Sequence, residues 1–328
     1  AHALYSSMCL APTLNGRPIT VFPWRSCSLT DFKIGVVGIP GKWSTEVLAD
    51  AIEARTGFRL VIDMAAVSLN LTRNCLEFRD SAGVRHDLTE LDALIVKKIS
   101  AEYSPGSLDR LELLRVAEAR GVRVFSSAES MIRLIDRLSC TVTLANADIP
   151  MPATLVTEDV TAACEAVKRF KAAVFKPLFS TKARGMCIIE NTGDDAALEA
   201  AVREFVAEHP MMYLQQRLDL PGQDYGMVFV GGRYLCSYAR VSGGDAWNTT
   251  IHAGGKYAPF EPSEELIALA QRAQAPFKLD FTTVDVALTD DGPIIFEVSA
   301  FGGFRGALEG AGVDAAAAYL DHVMECLA

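Results

Sequence analysis

Histidine is scarce in this chain, five in 328 residues, and no two cysteines form a CxxC pair. Little is available to build a zinc site or a disulfide scaffold. The eight cysteines are scattered at 9, 27, 75, 140, 164, 187, 236 and 326, which fits a protein kept in a reducing compartment. No convincing Ser/His/Asp or Cys/His set stands out. Positive charge is also in short supply: the formal net charge is −10, which argues against nucleic acid or an anionic membrane as a main partner. No apolar run reaches membrane length, and the basic-then-apolar order of a signal peptide is missing. The expectation is a cytoplasmic protein. Walker spacing and GxGxxG are missing too; Gly38-Ile39-Pro40-Gly41-Lys42 follows a strand but matches neither phosphate loop.

Half of the residues are hydrophobic, enough to bury a large core spread over two or three units. Residues 1–30 receive no assignment. From Lys33 a strand (Lys33–Ile39), a helix (Ser44–Thr56), strands Phe58–Ile62 and Ala93–Ile99, a helix (Ser107–Ala119) and a strand (Val122–Phe125) alternate, the order of a parallel α/β sheet. Ser126-x-x-Glu129 reads as a capping box ahead of a helical run, and a second helical piece ends near Ala147 before Pro150 and Pro152. Strand Ala153–Thr157, helix Val160–Phe170, strands Ala173–Leu178 and Met186–Glu190, helix Asp194–His209 and strand Met212–Leu218 make a small α+β unit. After a linker at Asp219–Asp224, strands Tyr225–Val230 and Arg233–Val241 flank Gly231-Gly232, a hairpin signal. The loop Ser242–Gly255 and helices Ser263–Ala275 and Asp314–Cys326 complete the pattern.

The chain is organised around residues 282–306. Two runs of strand-forming residues, Thr283–Leu288 and Ile294–Ser299, flank the turn signals of Thr289-Asp290-Asp291-Gly292-Pro293. A hairpin centred on Asp291 sets Thr283 opposite Ser299, Asp285 opposite Glu297 and Leu288 opposite Ile294. Val284, Val286, Leu288, Ile294, Phe296 and Val298 then share an apolar face. Asp285 and Glu297 become cross-strand neighbours on the other face, a destabilising pair of like charges unless something positive lies between them. Two carboxylates with Ser299 beside them suit Mg²⁺, which takes one or two carboxylates plus substrate phosphates; the bland alternative is two solvated acids. Gly302-Gly303-Phe304-Arg305-Gly306 follows as a glycine-rich turn able to bring N–H groups and an arginine to an anion.

Other residues are individually ambiguous. Lys176 lies in an apolar strand and needs an anion or a water-facing side. Lys182 and Arg184, on a loop ending in Gly185, could fold over phosphates or decorate a surface hairpin. Gln215-Gln216-Arg217-Leu218 could present backbone to a purine or simply end a strand. Asp224 could bond a ribose or cap a turn, and Arg240 could meet a phosphate or a surface acid. Arg305 could hold a substrate carboxylate through a bidentate fork, or pair with Glu309 on the surface.

Taken in order, the lysine strand, basic glycine loop, Gln-Gln linker, Asp224, Arg240 and the Asp285/Glu297 pair resemble the ATP-grasp ligases, particularly the RimK-like branch that joins α-amino acids such as glutamate to carboxylates. The resemblance runs from about Gly121 to the C-terminus. It implies an α/β and α+β protein with an ATP-grasp fold: an N-terminal parallel α/β domain (1–125), a small central α+β subdomain (126–213) and a C-terminal α+β subdomain carrying the metal (214–328). It implies ATP and Mg²⁺ (or Mn²⁺) as cofactors. Lys176 and Arg137, the latter standing where the family has a lysine, would serve the nucleotide. Lys182, Arg184 and Gly185 would form the lid, Gln216, Arg217 and Leu218 the adenine hinge, and Asp224 would lie near the ribose. Arg240 would face the transferred phosphoryl group, with Arg305 as a second catalytic candidate, and Asp285, Glu297 and Ser299 would hold the metal. Departures are Ser299 in place of the family's asparagine, Gly226 in place of an arginine, a lid poor in glycine, and the closing loop Ala300–Gly306.

The expected reaction is ATP-dependent amide formation through an acylphosphate, catalysed by positioning and charge neutralisation. Its partners would be ATP, a small-molecule or cofactor carboxylate of pterin or furan one-carbon type, and an amine, with glutamate favoured. Homo-oligomerisation is left open. The rival expectation is an ATP-binding regulatory or scaffold protein that keeps the fold without ligating.

Overall fold

The computed structural model describes residues 32–181, 183–243 and 254–328, together with the two-residue paired strands β1 (Thr13–Leu14) and β2 (Arg17–Pro18). In the N-terminal unit, β3 (Ile34–Val37) is followed by α1 (Trp43–Thr56), which ends at Gly57 with φ 72°. The strand β4 (Val61–Ile62) comes next. An antiparallel meander that the sequence reading did not foresee follows, made of β5 (Ser68–Asn70), β6 (Cys75–Arg79) and β7 (Arg85–Asp87). The chain then forms β8 (Ala93–Val96), α2 (Pro105–Ala119) and β9 (Arg123–Phe125). The main sheet runs β4-β3-β8-β9, all parallel. Strand order therefore reverses between β3 and β8, and at such a point the carboxyl ends of the two strands open a crevice.

Two short helices lead into the central unit, α3 (Ala128–Ile132) and α4 (Arg137–Asn146). The helix cap is Ser127, whose side chain accepts from the Ser130 amide, and not Ser126. Ser126 is used elsewhere: its Oγ accepts from the Asp280 amide at 2.8 Å. The strands β10 (Thr154–Thr157), β11 (Ala172–Lys176), β12 (Cys187–Glu190) and β13 (Met212–Gln216) form an antiparallel sheet ordered β10-β13-β11-β12. The helices α5 (Val160–Phe170) and α6 (Asp195–Glu208) bury their apolar stripes on it. Ala163, Val167, Phe175, Val202, Phe205 and Leu214 form a core that belongs to this unit alone.

In the C-terminal unit, β14 (Gln223–Val230), β15 (Arg233–Val241), β16 (Lys256–Pro259), β17 (Phe281–Thr289) and β18 (Gly292–Ser299) form an antiparallel sheet ordered β16-β15-β14-β17-β18. Helices α7 (Glu264–Gln274), α8 (Phe304–Ala311) and α9 (Ala315–Leu327) pack around it. Gly231 and Gly232, at φ 54° and 72°, make the expected two-residue hairpin turn. Most of the loop expected at Ser242–Gly255 lies outside the described residues, while β16 was not expected. The N-terminal and C-terminal units share their cores. Val37, Leu94 and Leu111 cluster with Met227, Phe229 and Val284, and Ile34, Leu48 and Ile52 with Phe281, Tyr319 and Val323.

The register of the central hairpin is partly as expected. Thr283 faces Ser299 and Asp285 faces Glu297. Beyond Asp285 the register shifts, so that Val286 faces Ile295, Leu288 faces Pro293, and the turn shrinks to Asp290-Asp291. Phe296 is the extra residue of a β-bulge, a device that re-aims side chains beside functional sites. The apolar face is therefore Val284, Val286, Ile295 and Val298, all buried, while Leu288 is exposed and Phe296 turns into the cavity.

Tyr238 on β15 is buried against three glycines. An added Cβ would lie 2.5 Å from its ring carbon Cζ at Gly226, 2.2 Å at Gly306, and 2.5 Å from its Cβ at Gly310. Gly226 is thus explained by packing: a larger side chain there would collide with the ring. Replacing Gly306 with Ala overpacks the same spot and should cost about 1–3 kcal/mol, read as a lower urea midpoint with unchanged slope. An unaltered midpoint would mean that the ring has room to move aside.

Candidate active site

A cavity of about 430 Å³ opens where the three units meet. The N-terminal unit contributes Lys98 and Tyr103 to its wall, the central unit and its leading helix Arg137 and Lys176, and the C-terminal sheet Asp224, Arg240, Asp285 and Glu297. The hairpin rigidly opposes Asp285 and Glu297, and each acid meets an arginine from a different element. Arg137, the first residue of α4, places Nη1 3.1 Å from Glu297 Oε2 and Nη2 3.3 Å from Ser180 Oγ. Arg240, on β15, donates through both Nε and Nη2 to the Asp224 carboxylate, and its Nη2 lies 3.1 Å from Asp285 Oδ1. The positive charge required between the acids is therefore supplied twice.

These contacts tune the groups. Burial pushes the Asp285 carboxyl above the ordinary range; Arg240 pulls it back, while Glu297 and Asp224 push it up again. Burial also works against the Arg240 charge, but Asp285 and Asp224 more than offset it and hold that guanidinium well above its ordinary pKa. Lys176 is brought down to about 7 by burial first and by Arg137 second, with Glu297 opposing. Its Nζ donates to Gln215 Oε1 at 2.5 Å and lies 5.6 Å from the centre of the Phe296 ring. Gln215 is itself fixed, donating to Thr154 Oγ1 and Tyr213 Oη at 3.0 and 3.2 Å.

The acids fit a hard divalent cation. Both line the cavity side by side with oxygen donors, and among the described residues no cluster of three or more acids, histidines or cysteines is placed to hold a metal. Two protein carboxylates with the remaining positions left to phosphate and water is the Mg²⁺ pattern. The Ser299 side faces the same cavity, while its carbonyl oxygen accepts from Thr282 Oγ1 at 2.7 Å. Opposite it, the hydroxyl of buried Thr283 has no hydrogen-bond partner, as is true of Arg137 Nε. Buried unpaired polar atoms are rare, and among the described residues these two belong to residues that line the cavity.

Several expected site residues sit differently. Asp224 is not in a linker; it is a buried residue of β14 facing Arg240, and its carboxylate is taken up by that arginine. The amides of Gln216 and Arg217 already donate to Ala153 O and Ala172 O, and the Arg217 side chain pairs with Glu190 at 2.7 Å. Gln216, Arg217 and Leu218 are not among the residues lining the cavity, so this stretch ends a strand in the present arrangement. Lys182 lies outside the described residues. Ser180, Thr181 and Ala183 of its loop line the cavity, whereas Arg184 reaches out to Glu102. Gly185 has φ 68° and packs against Pro177. Arg305 is not on a turn. It opens α8, half exposed, 3.6 Å from Glu309 and over the Trp43 ring at 5.0 Å, and the cavity lining stops at Gly303.

Reading the sequence missed Lys97, Lys98 and Tyr103, and read Gln215 for its backbone and not for the side chain that meets Lys176. The signal was present: Lys97-Lys98 ends a parallel strand at a reversal of strand order, where ligands gather.

A family described as the RimK-like ATP-grasp domain matches residues 135–323, more than half of the chain. The chain belongs to the RimK-like ATP-grasp family. Its relatives include the tetrahydromethanopterin:alpha-L-glutamate ligase of Methanosarcina acetivorans, 26% identical over 268 residues that cover 77% of this chain and 82% of that protein. Another is the probable alpha-L-glutamate ligase 2 of Hahella chejuensis, 25% identical over 300 residues, covering 89% and 95%. The fold is similar to that of the RimK domain ATP-grasp protein from Sphaerobacter thermophilus (TM-score 0.67, 23% identity, 88% of this chain and 98% of that one). It is equally similar to the ATP-grasp ligase PsnB in complex with a phosphomimetic variant of its minimal precursor, Mg and ADP (TM-score 0.67, 20% identity, 91% and 99%). This RimK-like chain is an ATP-grasp ligase, with the mixed α/β and α+β architecture of that fold. Among the described residues no helix is long and apolar enough to cross a membrane.

Lys176 yields a pH test. In the free protein it is held near 7 by burial; triphosphate beside it favours the charged form and raises that value. Nucleotide binding should therefore take up protons above about pH 7, and affinity should fall as pH rises. Calorimetry in two buffers of different ionisation enthalpy measures the uptake, which Lys176→Arg should abolish. Equal proton uptake in both proteins would remove Lys176 from the nucleotide site.

Proposed function

We propose that this ligase joins glutamate to the carboxylate of a small cofactor-like acid, of the pterin or furan one-carbon type. The observation that carries the reading is the cross-strand Asp285–Glu297 pair, opened into the cavity and met by Arg240 and Arg137. The names of the glutamate ligases to which the chain is similar support the choice of amine, and the tetrahydromethanopterin ligases support the class of acid.

An oxygen of the acid's carboxylate bonds to the γ-phosphorus of ATP as the bond to the β-phosphate oxygen breaks, giving an acylphosphate and ADP. The amine of glutamate then bonds to the acyl carbon, the C–O bond to phosphate breaks with its electron pair leaving on phosphate, and the nitrogen loses a proton. Asp285 and Glu297, with Ser299 beside them, would hold Mg²⁺ (or Mn²⁺), which when bound neutralises phosphate charge. Lys176 and Arg137 orient and neutralise the triphosphate. Arg240, already fixed by Asp224, presents a rigid guanidinium to the transferred group. The loop 177–186 excludes water that would hydrolyse the acylphosphate. Nothing in the site asks for a nucleophilic side chain. The scaffold alternative is opposed by the ligases among the relatives, and Gly226, where the family has an arginine, has its packing reason in Tyr238.

The test is incubation of the protein with ATP, Mg²⁺, isotopically labelled glutamate and an extract of small acids, with tetrahydromethanopterin as the first pure probe. Mass spectrometry should find a glutamylated acid formed in step with ADP. ADP formation without any glutamyl product would overturn the assignment of the amine. Glu297→Gln relieves a repulsive pair at a partly exposed position and should fold normally. Its turnover should drop by more than the roughly 10–100-fold typical of losing a metal's outer partners, and near-normal ADP release from the folded variant would end the two-carboxylate reading.

A further inference from the structure

One wall of the cavity comes from the N-terminal unit and carries Lys98 and Tyr103. It is built at the reversal point of the N-terminal sheet, where the amides of Lys97 and Lys98 both donate to the Val37 carbonyl, at 2.8 and 3.2 Å. That anchoring sends the two lysines in different directions. Lys97 is buried, donates from Nζ to the Gly302 carbonyl at 2.6 Å, and lies 4.5 Å from the centre of the Phe304 ring. It thereby ties the loop after β18 to the N-terminal unit. Lys98 turns into the cavity, its Nζ 4.3 Å from the centre of the Tyr103 ring and 5.6 Å from that of Phe301. The two rings meet edge-on at 6.1 Å and 70°. Phe301 belongs to the loop that Lys97 holds, so the wall joins two units and its shape is set by the buried strut behind it.

Resting on the ligase reading above, we propose that Lys98, flanked by Tyr103 and Phe301, receives the acid substrate, holding its carboxylate while a planar ring beside that carboxylate lies against the two aromatic side chains. The chemistry matches at each point. Lys98 is the cation that the N-terminal unit contributes to the cavity lining, whereas Lys176 and Arg137 come from the elements beside the triphosphate loop. The wall belongs to the same cavity as Asp285 and Glu297, so a carboxylate on Lys98 shares that cavity with the two acids. An aliphatic acid would fill the cation's place and leave the rings without a partner; a flat heterocycle or aryl group uses both.

The experiment compares Lys98→Met, Lys98→Arg and Phe301→Leu with the unaltered protein. It uses the acid found in the extract experiment, and thermal melting confirms that each variant is folded. Lys98→Met should raise the KM for the acid roughly tenfold or more, leave those for ATP and glutamate within about twofold, and keep nucleotide binding by calorimetry. Lys98→Arg, which retains the cation and stacks on rings, should recover most of the loss. Phe301→Leu should raise the KM of the acid several-fold without touching ATP. An unchanged KM for the acid in Lys98→Met, or a rise for ATP or glutamate instead, overturns the assignment while leaving the ligase reading intact. An acid product without a ring overturns the part played by Tyr103 and Phe301. A folded, unaltered protein that glutamylates no acid defeats the ligase reading itself, and this inference with it.

Discussion

Two like charges held face to face by a hairpin dominate the molecule. Asp285 and Glu297 cannot separate, because their spacing is fixed by backbone pairing and by cores on both sides of β17. Left alone the pair would destabilise the sheet. The structure answers with Arg240, from the neighbouring β15, and Arg137, from a helix 160 residues away in sequence. Asp224 then fixes Arg240, and Ser180 helps fix Arg137. Much of the polar organisation of the cavity is a chain of replies to one repulsion. The same repulsion makes the place attractive to a divalent cation, since a metal and two arginines answer the same electrostatic need.

Holding the acids from different elements has a structural result. Arg137 couples the helix before the central sheet to β18, and Arg184 couples the loop to Glu102 of the N-terminal unit. Polar bridges between units thus cross a cavity that also has apolar lining, among it Leu134, Leu178, Met186, Phe296 and Phe301. Polar bridges that are partly exposed are worth little individually, so the arrangement can be remade when phosphates arrive.

The parts of this architecture legible in the sequence are those governed by local pattern. Helix α5 and strand β15 fall where periodicity and glycine turns place them, and Asp285 and Glu297 face one another because side chains alternate strictly from Thr283 outward. The alternation fails at Phe296, since a bulge depends on what the neighbouring strands and cavity demand. The pairing of Asp224 with Arg240, the glycines around Tyr238 and the role of Lys97 are contacts between distant segments, and no local spacing encodes them. The Gln215 side chain was not read, because side-chain direction at a strand end depends on register. Arg305 shows the opposite error: three glycines nearby suggested a turn, yet Gly306 and Gly310 are small because α8 lies close on Tyr238.

The central sheet keeps its hydrophobic interior to itself, while the other two units are welded through common cores. In cooperative terms the protein is two folding units and not three. A cavity made at Val202 or Phe205 would loosen the central unit while the body that carries Asp285 and Glu297 stays folded. The same damage at Leu94 or Phe229 would spread through both of the remaining units at once. Rigidly held carboxylates, and a central unit with a core of its own, are thereby specified by where apolar residues cluster.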